Sequence, residues 1–407
     1  MNTTRQTTRL HGDDVVLLSI LFVIYLIIAI GVQMISGLIP AIARLLDVSV
    51  ARVTLLVAIV GYSGLSSPLF GPLADRFGYM KFVLLGFVCV FAGILLSAFA
   101  PDLSSFMVCV FLIGTGYAVF NFSLASGVGE LFEYEMRGRI MGILRFAWSA
   151  SALAGVPFVM AIAGWLNVRW SFASIGLFGF VVFMLFSGFL NRRNQQIMET
   201  RKRQPLYIIR TLKYIRTDRS VLAGLVVIPG LVMVPTGTVI YLAAWLENLH
   251  QLNQSQIGLV FSVIGIGAVL GNVAMTFWSD RFGKKRSALI ALSVLSIAVI
   301  ILPYTRTMAV TIITLLFLFA ALEFGFVSLY TIMTELMPAA RGTLMSIAGM
   351  MNSLGVGTAP VIFKPVWEYS GYAAVTLILG LICAVNVCII WLLIDEGSPG
   401  GEHANPM

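Results

Sequence analysis

Charge is scarce in this chain. Only 11% of its 407 residues are Asp, Glu, Lys or Arg, against about a quarter in a soluble domain. Hydrophobic residues make up 59%, and the mean hydropathy is +0.96. That shortage excludes an ordinary soluble domain. Histidine is scarcer still: His11, His250 and His403 all fall in terminal or loop positions, so a histidine proton relay through an apolar run is excluded. The four cysteines, Cys89, Cys109, Cys383 and Cys388, sit inside apolar runs without metal-ligand spacing and read as small buried hydrophobes. The chain has no Gly-x-x-x-x-Gly-Lys-Ser/Thr phosphate loop, which argues against ATP-driven work, and no cofactor is expected. Neither a Ser/His/Asp constellation nor paired carboxylates occur within a run, so an enzyme is not expected. The polar segment Met1–Asp14 leads directly into a full-length apolar run without a cleavage pattern, and no removable signal is read.

What the chain does have is apolar runs of about 20 residues, the length needed to cross roughly 30 Å of hydrocarbon as helices. They are continuous rather than alternating, which rules against a barrel. Twelve spans are predicted, at residues 15–38, 51–70, 81–100, 104–128, 140–163, 170–190, 220–246, 256–278, 286–304, 308–332, 342–366 and 371–394. The expected fold is an all-α polytopic membrane protein. It has a tail at 1–14, a six-helix bundle at 15–190, a basic linker at 191–219, a second six-helix bundle at 220–394 and a tail at 395–407. The linker carries Arg192, Arg193, Arg201, Lys202, Arg203, Arg210, Lys213, Arg216 and Arg219, and is expected to hold a short amphipathic helix along the membrane surface.

Of the 26 Lys and Arg residues, 20 lie in the tails, the linker and the loops after even-numbered spans. Four lie in the opposite loops: Arg44, Arg52, Arg169 and Arg306. Excess positive charge marks the cytoplasmic side, so both termini and the linker are expected there, in a plasma (bacterial inner) membrane. The net charge of +8 then reports topology and not a nucleic-acid partner.

The two halves repeat each other. Gly71-Pro72-Leu73-Ala74-Asp75-Arg76-Phe77-Gly78 returns as Trp278-Ser279-Asp280-Arg281-Phe282-Gly283, with Asp75 and Asp280 separated by 205 positions. Glu130-Leu131-Phe132 followed by Arg137-Gly138 returns as Glu335-Leu336-Met337 followed by Arg341-Gly342, at an offset of 204. Two loop pairs with nearly one offset indicate an internal duplication.

At these residues the sequence resembles the major facilitator superfamily of secondary transporters, over nearly its whole length. Gly71 to Gly78 match the family's signature loop, and Gly71, Asp75, Arg76, Gly78, Asp280, Arg281 and Gly283 are by that resemblance the conformational-switch loops. The run from Pro40 through Asp47-Val48-Ser49 to Tyr62 is similar to the start of the drug:proton antiporter branch. Gly155-Val156-Pro157 is partly similar to that branch's signature in the fifth span, and Val110 stands where the family often carries an arginine in the fourth. The resemblance implies two six-helix bundles that rock about a central cavity.

A charge at the bilayer centre costs a few kcal/mol, so each one needs a reason. Glu323, in the middle of the tenth span, is the acid deep in a span. It suits a proton carrier, or else a structural ion pair or helix–helix hydrogen bond. Arg145 lies in the second turn of the predicted fifth span. It either faces the cavity, to bind an anionic group or pair with Glu323, or snorkels to the nearby surface. Lys364 reads as snorkelling or as paired with Glu368 one turn on. If coupling does not run through Glu323, the loop ends near Asp75 and Glu130 remain as proton carriers. Glu130 equally reads as a solvated helix-end charge.

Tyr25, Gln33, Asn121, Trp148, Tyr241, Trp245, Asn272, Tyr330 and Asn352 are the polar and aromatic residues expected to sketch a substrate pocket, although any one aromatic also reads as packing. Gly265 to Gly271 is read as a stripe that lets helices approach closely. The expected function is export of amphipathic small molecules by proton antiport and alternating access. The alternative is uptake, exchange or uniport of an anionic metabolite, with Arg145 as the anion-binding group. The expected partners are a small-molecule substrate, protons and the lipid bilayer, and one chain is expected to suffice.

Overall fold

The computed structural model describes residues 12–66, 70, 74, 77–131, 134–200, 218–336 and 341–394. Among the described residues there is no β-strand. Water is absent from a bilayer core, so a spanning backbone must satisfy its own hydrogen bonds, and helices do this within one segment. The first half contains α1 (Gly12–Gly37), α2 (Ile39–Leu46), α3 (Val50–Val53), α4 (Leu55–Ser63), α5 (Tyr79–Ser97), α6 (Leu103–Leu131), α7 (Tyr134–Ala150), α8 (Val156–Trp165) and α9 (Val168–Thr200). The second half contains α10 (Arg219–His250), α11 (Gln254–Phe282), α12 (Lys284–Ile301), α13 (Met308–Leu336) and α14 (Arg341–Leu393).

Among the described residues ten helices are long and apolar enough to cross a membrane, and the bent pair Ile39–Leu46 and Val50–Ser66, meeting at 111°, makes an eleventh span. Helix α14 supplies two of the expected twelve, because it is broken at Gly371 (φ 73°, ψ −169°). That φ lies where side chains with a Cβ are strained, so glycine can sit at the break.

Several boundaries differ from the sequence reading, each for a local reason. The second span is not one helix: α3 and α4 are separated by Thr54 and followed by a 3-10 turn at Gly64–Ser66. Helix α7 begins at Tyr134, six residues before the predicted start of the fifth span. Helix α9 runs on to Thr200 instead of ending near 190. Residues 191–200 therefore continue that helix, and the remainder of the linker expected to hold a surface helix, 201–217, lies outside the described residues. Nothing in helix hydrogen bonding requires a helix to stop where the hydrocarbon stops.

The fifth span is interrupted between α7 and α8 by a π-turn at Ser151–Gly155. Pro157 has no N–H to give the carbonyl four residues back, which loosens the ladder there. The freed geometry is used: the Gln33 amide donates to the Trp148 carbonyl at 3.1 Å and to the Ser151 hydroxyl at 2.5 Å. That pins α1 against α7 at the level of the turn.

The duplication is visible in the backbone. Gly78 (φ 97°, ψ 136°) precedes α5 and Gly283 (φ 80°, ψ 147°) precedes α12, so the signature glycine has one conformation in both halves. Gly71, Asp75 and Arg76 lie outside the described residues, as do the side chains of Glu130, Asp280 and Arg281.

The halves meet along two helix pairs, α4 with α14 and α8 with α11. A Cβ on Gly61 would overlap the backbone of Gly357, and a Cβ on Gly265 would overlap the backbone of Leu153. Here glycine is required by close approach of two main chains. Polar contacts between the halves include the Arg44–Glu247 ion pair and the Gln254 amide donating to the Gly37 carbonyl at 3.0 Å. Both lie at the face opposite the termini, hereafter the distal face. On the terminal side of this seam, Gly142 of α7 and Gly349 of α14 have no atom within 4 Å of a Cβ position. Among the described residues the halves are in contact distally, and these two terminal-side glycines face open space.

This seam makes a prediction. In a cysteine-free background, Arg44→Cys/Glu247→Cys should be joined by a short bis-maleimide. Adding Gly61→Val should lower that cross-linking several-fold, because the valine methyls occupy the volume of the Gly357 backbone. Equal cross-linking in both proteins would show that the seam does not depend on this contact.

Candidate functional site

Arg145 stands eleven residues into α7, about 16 Å along the helix axis at about 1.5 Å per residue. It is therefore much deeper from its helix start than the second turn expected from sequence. Its side chain is accessible to water, yet lies within electrostatic reach of Tyr25 (α1), Tyr117 (α6), Tyr330 and Glu323 (both α13). Accessibility combined with neighbours from both halves is the condition of a side chain in an internal cavity. Among the described residues Arg145 has no hydrogen bond and no carboxylate within 4 Å.

Glu323, half-buried, lies near the middle of α13. Asn272 of α11 donates to its Oε2 at 3.5 Å and to the Ala268 carbonyl at 3.0 Å. The Glu323 carboxylate and the Arg145 guanidinium thus influence one another across a gap without touching. Of the readings that the sequence left open for Glu323, a direct ion pair is not what the structure shows among the described residues.

Two aromatic walls flank the cation. On the first half, Tyr117 stacks on Trp148 with ring centroids 5.7 Å apart and planes 28° apart. On the second half, Phe326 stacks on Tyr330 at 4.3 Å and 25°. All four rings are half-buried, and Tyr117 of the first pair and Tyr330 of the second are both within electrostatic reach of Arg145. Helix spacing explains the grouping. Arg145 and Trp148 are three apart on α7, and Glu323, Phe326 and Tyr330 are spaced three and four apart on α13. Asn352 of α14 donates to the Tyr330 hydroxyl at 3.5 Å, and Asn121 donates to the Tyr117 carbonyl one turn back at 3.1 Å.

The expected pocket residues therefore divide. Tyr25, Asn121, Trp148, Tyr330 and Asn352 gather around Arg145, and Gln33 braces the π-turn beside Trp148. Tyr241 and Trp245 do not join them, which corrects the expectation that they line the pocket. Tyr241 has no exposed surface and stacks on Trp367 at 4.7 Å and 11°, and Trp245 packs on Tyr372 at 5.1 Å. These rings form a closed packing cluster toward the distal end of the second bundle. Lys364 is half-buried and makes no ion pair within 4 Å with Glu368. Sequence reasoning missed Tyr117 and Phe326. Each lies one turn from a residue that was named, Asn121 for Tyr117 and both Glu323 and Tyr330 for Phe326, and that spacing was the available signal.

Comparison with known proteins matches the family model described as Major Facilitator Superfamily to residues 21–360 and 230–406. The chain belongs to the Major Facilitator Superfamily. An uncharacterized transporter of this type from Bacillus subtilis, YwfA, is 28% identical over 88% of this chain and 86% of its own. The vesicular acetylcholine transporter of Mus musculus is 22% identical over 82% of this chain and 64% of its own. Among solved structures, a D-xylose-proton symporter superposes with a TM-score of 0.76 at 18% identity, over 93% of this chain and 98% of that one. The family and the fold make this a multi-pass membrane transporter of a small molecule, not an enzyme.

The site geometry predicts an unusual tolerance. Glu323→Gln keeps an oxygen for Asn272 and removes a charge from a position where charge costs about 3 kcal/mol. The melting temperature of the purified variant should therefore match or exceed that of the parent. A drop of more than a few degrees would mean that the ionised carboxylate is needed to hold the bundle together.

Proposed function

We propose that this superfamily member is a proton-coupled carrier of small amphipathic solutes that bear an anionic group. It works by alternating access, as a single chain, in a bacterial plasma membrane with both termini in the cytoplasm. The observation that carries this reading is Arg145 facing Glu323 from the opposite half across a shared space, with no direct contact between them. A guanidinium that no carboxylate among the described residues occupies keeps its planar fork of donors available for an anion.

Charge balance then links solute to proton. With Glu323 ionised, the site is neutral, and an added anion meets the acid's repulsion. With Glu323 protonated, the site is cationic and the anion is welcome. Solute and proton thus favour one another, the requirement for moving them together. Arg145 is the anion-binding group, Glu323 the proton carrier, and Tyr330, Trp148, Asn121 and Asn352 surround the solute, while Tyr25, buried on Phe120, stays within electrostatic reach of Arg145. The signature loops around Asp75, Arg76, Asp280 and Arg281 are assigned to the switch between states, and Asp75 and Glu130 are the further candidates for carrying the proton.

Export by antiport is the second reading. It needs a solute that competes with the proton for ionised Glu323, and hence a cationic one. The observation favouring it is that Glu323 is half-buried and spaced three and seven residues from Phe326 and Tyr330 on α13, rings able to take a cation on their faces.

Proteoliposomes holding a pH-sensitive dye separate the two. Organic anions, lipophilic cations, neutral amphiphiles and sugars are added singly, with protein-free vesicles subtracted. An anion should acidify the lumen in the parent, and Glu323→Gln should abolish at least nine-tenths of that signal. Alkalinisation by a cation, also lost in Glu323→Gln, would replace symport with antiport. Solute movement that is unchanged in Glu323→Gln would remove proton coupling through this acid altogether.

A further inference from the structure

The site's charge count and its rings restrict the solute further than the word amphipathic does. We infer that the solute is a planar aromatic monocarboxylate. It binds with its carboxylate on Arg145 and its ring in the slot between the Tyr117–Trp148 and Phe326–Tyr330 walls. The inference rests on the reading of Arg145 as an anion site and adds the shape, valence and ring character of the ligand.

Valence comes first. Arg145 is the one cation among the described residues that faces this space, and Glu323 stands on the opposite wall. One cation balances one negative charge. A dianion such as a phosphate monoester would leave an uncompensated charge in a low-dielectric site beside a carboxylate. The planar fork of a guanidinium matches the two oxygens of a carboxylate, and a carboxylate bound that way holds any ring conjugated to it near the guanidinium plane.

Planarity follows from the walls. Trp148 is one turn distal to Arg145 on the same helix face, so the wall of Tyr117 and Trp148 begins where a bound carboxylate ends. The facing wall comes from the other half, on α13, where Tyr330 is itself within electrostatic reach of Arg145. Both walls are already internally stacked, at 28° and 25°, so their rings are held in orientation before a ligand arrives. Aromatic rings already ordered on both halves near Arg145 favour a flat ring over a puckered one, because offset stacking adds to simple area burial. Near the far wall, the Asn352 amide and the Tyr330 hydroxyl offer polar groups to a ring substituent or ring nitrogen.

Equilibrium binding to the full chain in detergent, followed by titration calorimetry at neutral pH, tests this with simple probes. Benzoate should bind. Cyclohexanecarboxylate, with the same charge and a puckered ring, should bind about tenfold more weakly. Benzamide, with the ring but no charge, and phthalate, with a second carboxylate, should each be weaker than benzoate by at least that factor. Arg145→Gln should abolish benzoate binding and Arg145→Lys should retain part of it. Trp148→Leu should erase the preference for benzoate over cyclohexanecarboxylate while keeping that for benzoate over benzamide. The retained preference for benzoate over benzamide shows that the Trp148 variant is folded with its anion site intact.

Equal binding of benzoate and cyclohexanecarboxylate, or of benzoate and benzamide, would overturn the inference. So would binding of zwitterionic phenylalanine in place of benzoate. The coupling reading fails separately. Benzoate binding with no Glu323-dependent proton movement for any solute removes proton coupling and leaves the substrate class standing. Proton movement driven by another solute while benzoate stays unbound does the reverse.

Discussion

A cation that no carboxylate among the described residues touches, set within the width of a hydrocarbon layer, is the constraint on which this structure turns. Such a charge costs a few kcal/mol unless it is paired or wetted. Arg145 has no carboxylate within 4 Å among the described residues, so water must reach it. Water can reach the middle of a twelve-helix bundle only if the halves part on one side. A carrier must then seal the other side, or it becomes a pore. The glycine-lined contacts of α4 with α14 and of α8 with α11, and the distal Arg44–Glu247 and Gln254–Gly37 contacts, form that seal. One exposed guanidinium and one tight seam are two consequences of the same requirement.

The scaffold is duplicated but its chemistry is not. At the offset of 204 that aligns Gly138 with Gly342, the counterpart of Arg145 is Gly349, and the counterpart of Trp148 is Asn352. Two positions thus keep a place at the cavity while changing character: one carries charge and the other leaves space, one a ring and the other an amide. At the same offset the counterpart of Glu323 is Val119, which is buried in the first bundle. The acid is a feature of the second half alone, as the base is of the first. A cavity with opposite charges on its two walls can respond to a proton or a solute by changing the attraction between the halves, which a symmetric pair of walls could not do.

Much of the fold was legible in the sequence because hydrocarbon enforces a simple grammar. Continuous apolar runs must be helices, and the loops around Gly78 and Gly283 repeat with the backbone that only glycine adopts readily. The site was legible in its charges and only partly in its rings. Glu323 and Arg145 stood out because polarity within an apolar run is expensive. Tyr241 and Trp245 were equally conspicuous by that criterion, yet they pack on Trp367 and Tyr372. Hydropathy does not say which face of a helix a ring occupies when every face is apolar. The depth of Arg145 was misjudged for a related reason. Arg137 and Arg139 look like loop, but α7 is already a helix from Tyr134, because charged residues extend a helix into water at little cost.

The distal seal is weak in the way a reversible closure needs to be. An exposed ion pair such as Arg44–Glu247 contributes about 0–1 kcal/mol, and a single hydrogen bond such as Gln254 to Gly37 contributes about 1 kcal/mol. The rest comes from main chains packed at Gly61–Gly357 and Gly265–Leu153, where dispersion contacts are many but short-ranged and are lost together once the surfaces separate. A seal of that kind is all-or-none in geometry and modest in free energy. Shifting a two-state equilibrium from one side to the other takes about 5 kcal/mol of differential binding. In the proposed cycle that difference has to come from a solute on Arg145 and a proton on Glu323, acting on opposite halves. The two groups lie terminal to the seam, one on each side of it, so a change in the force between them bears directly on whether the glycine contacts hold.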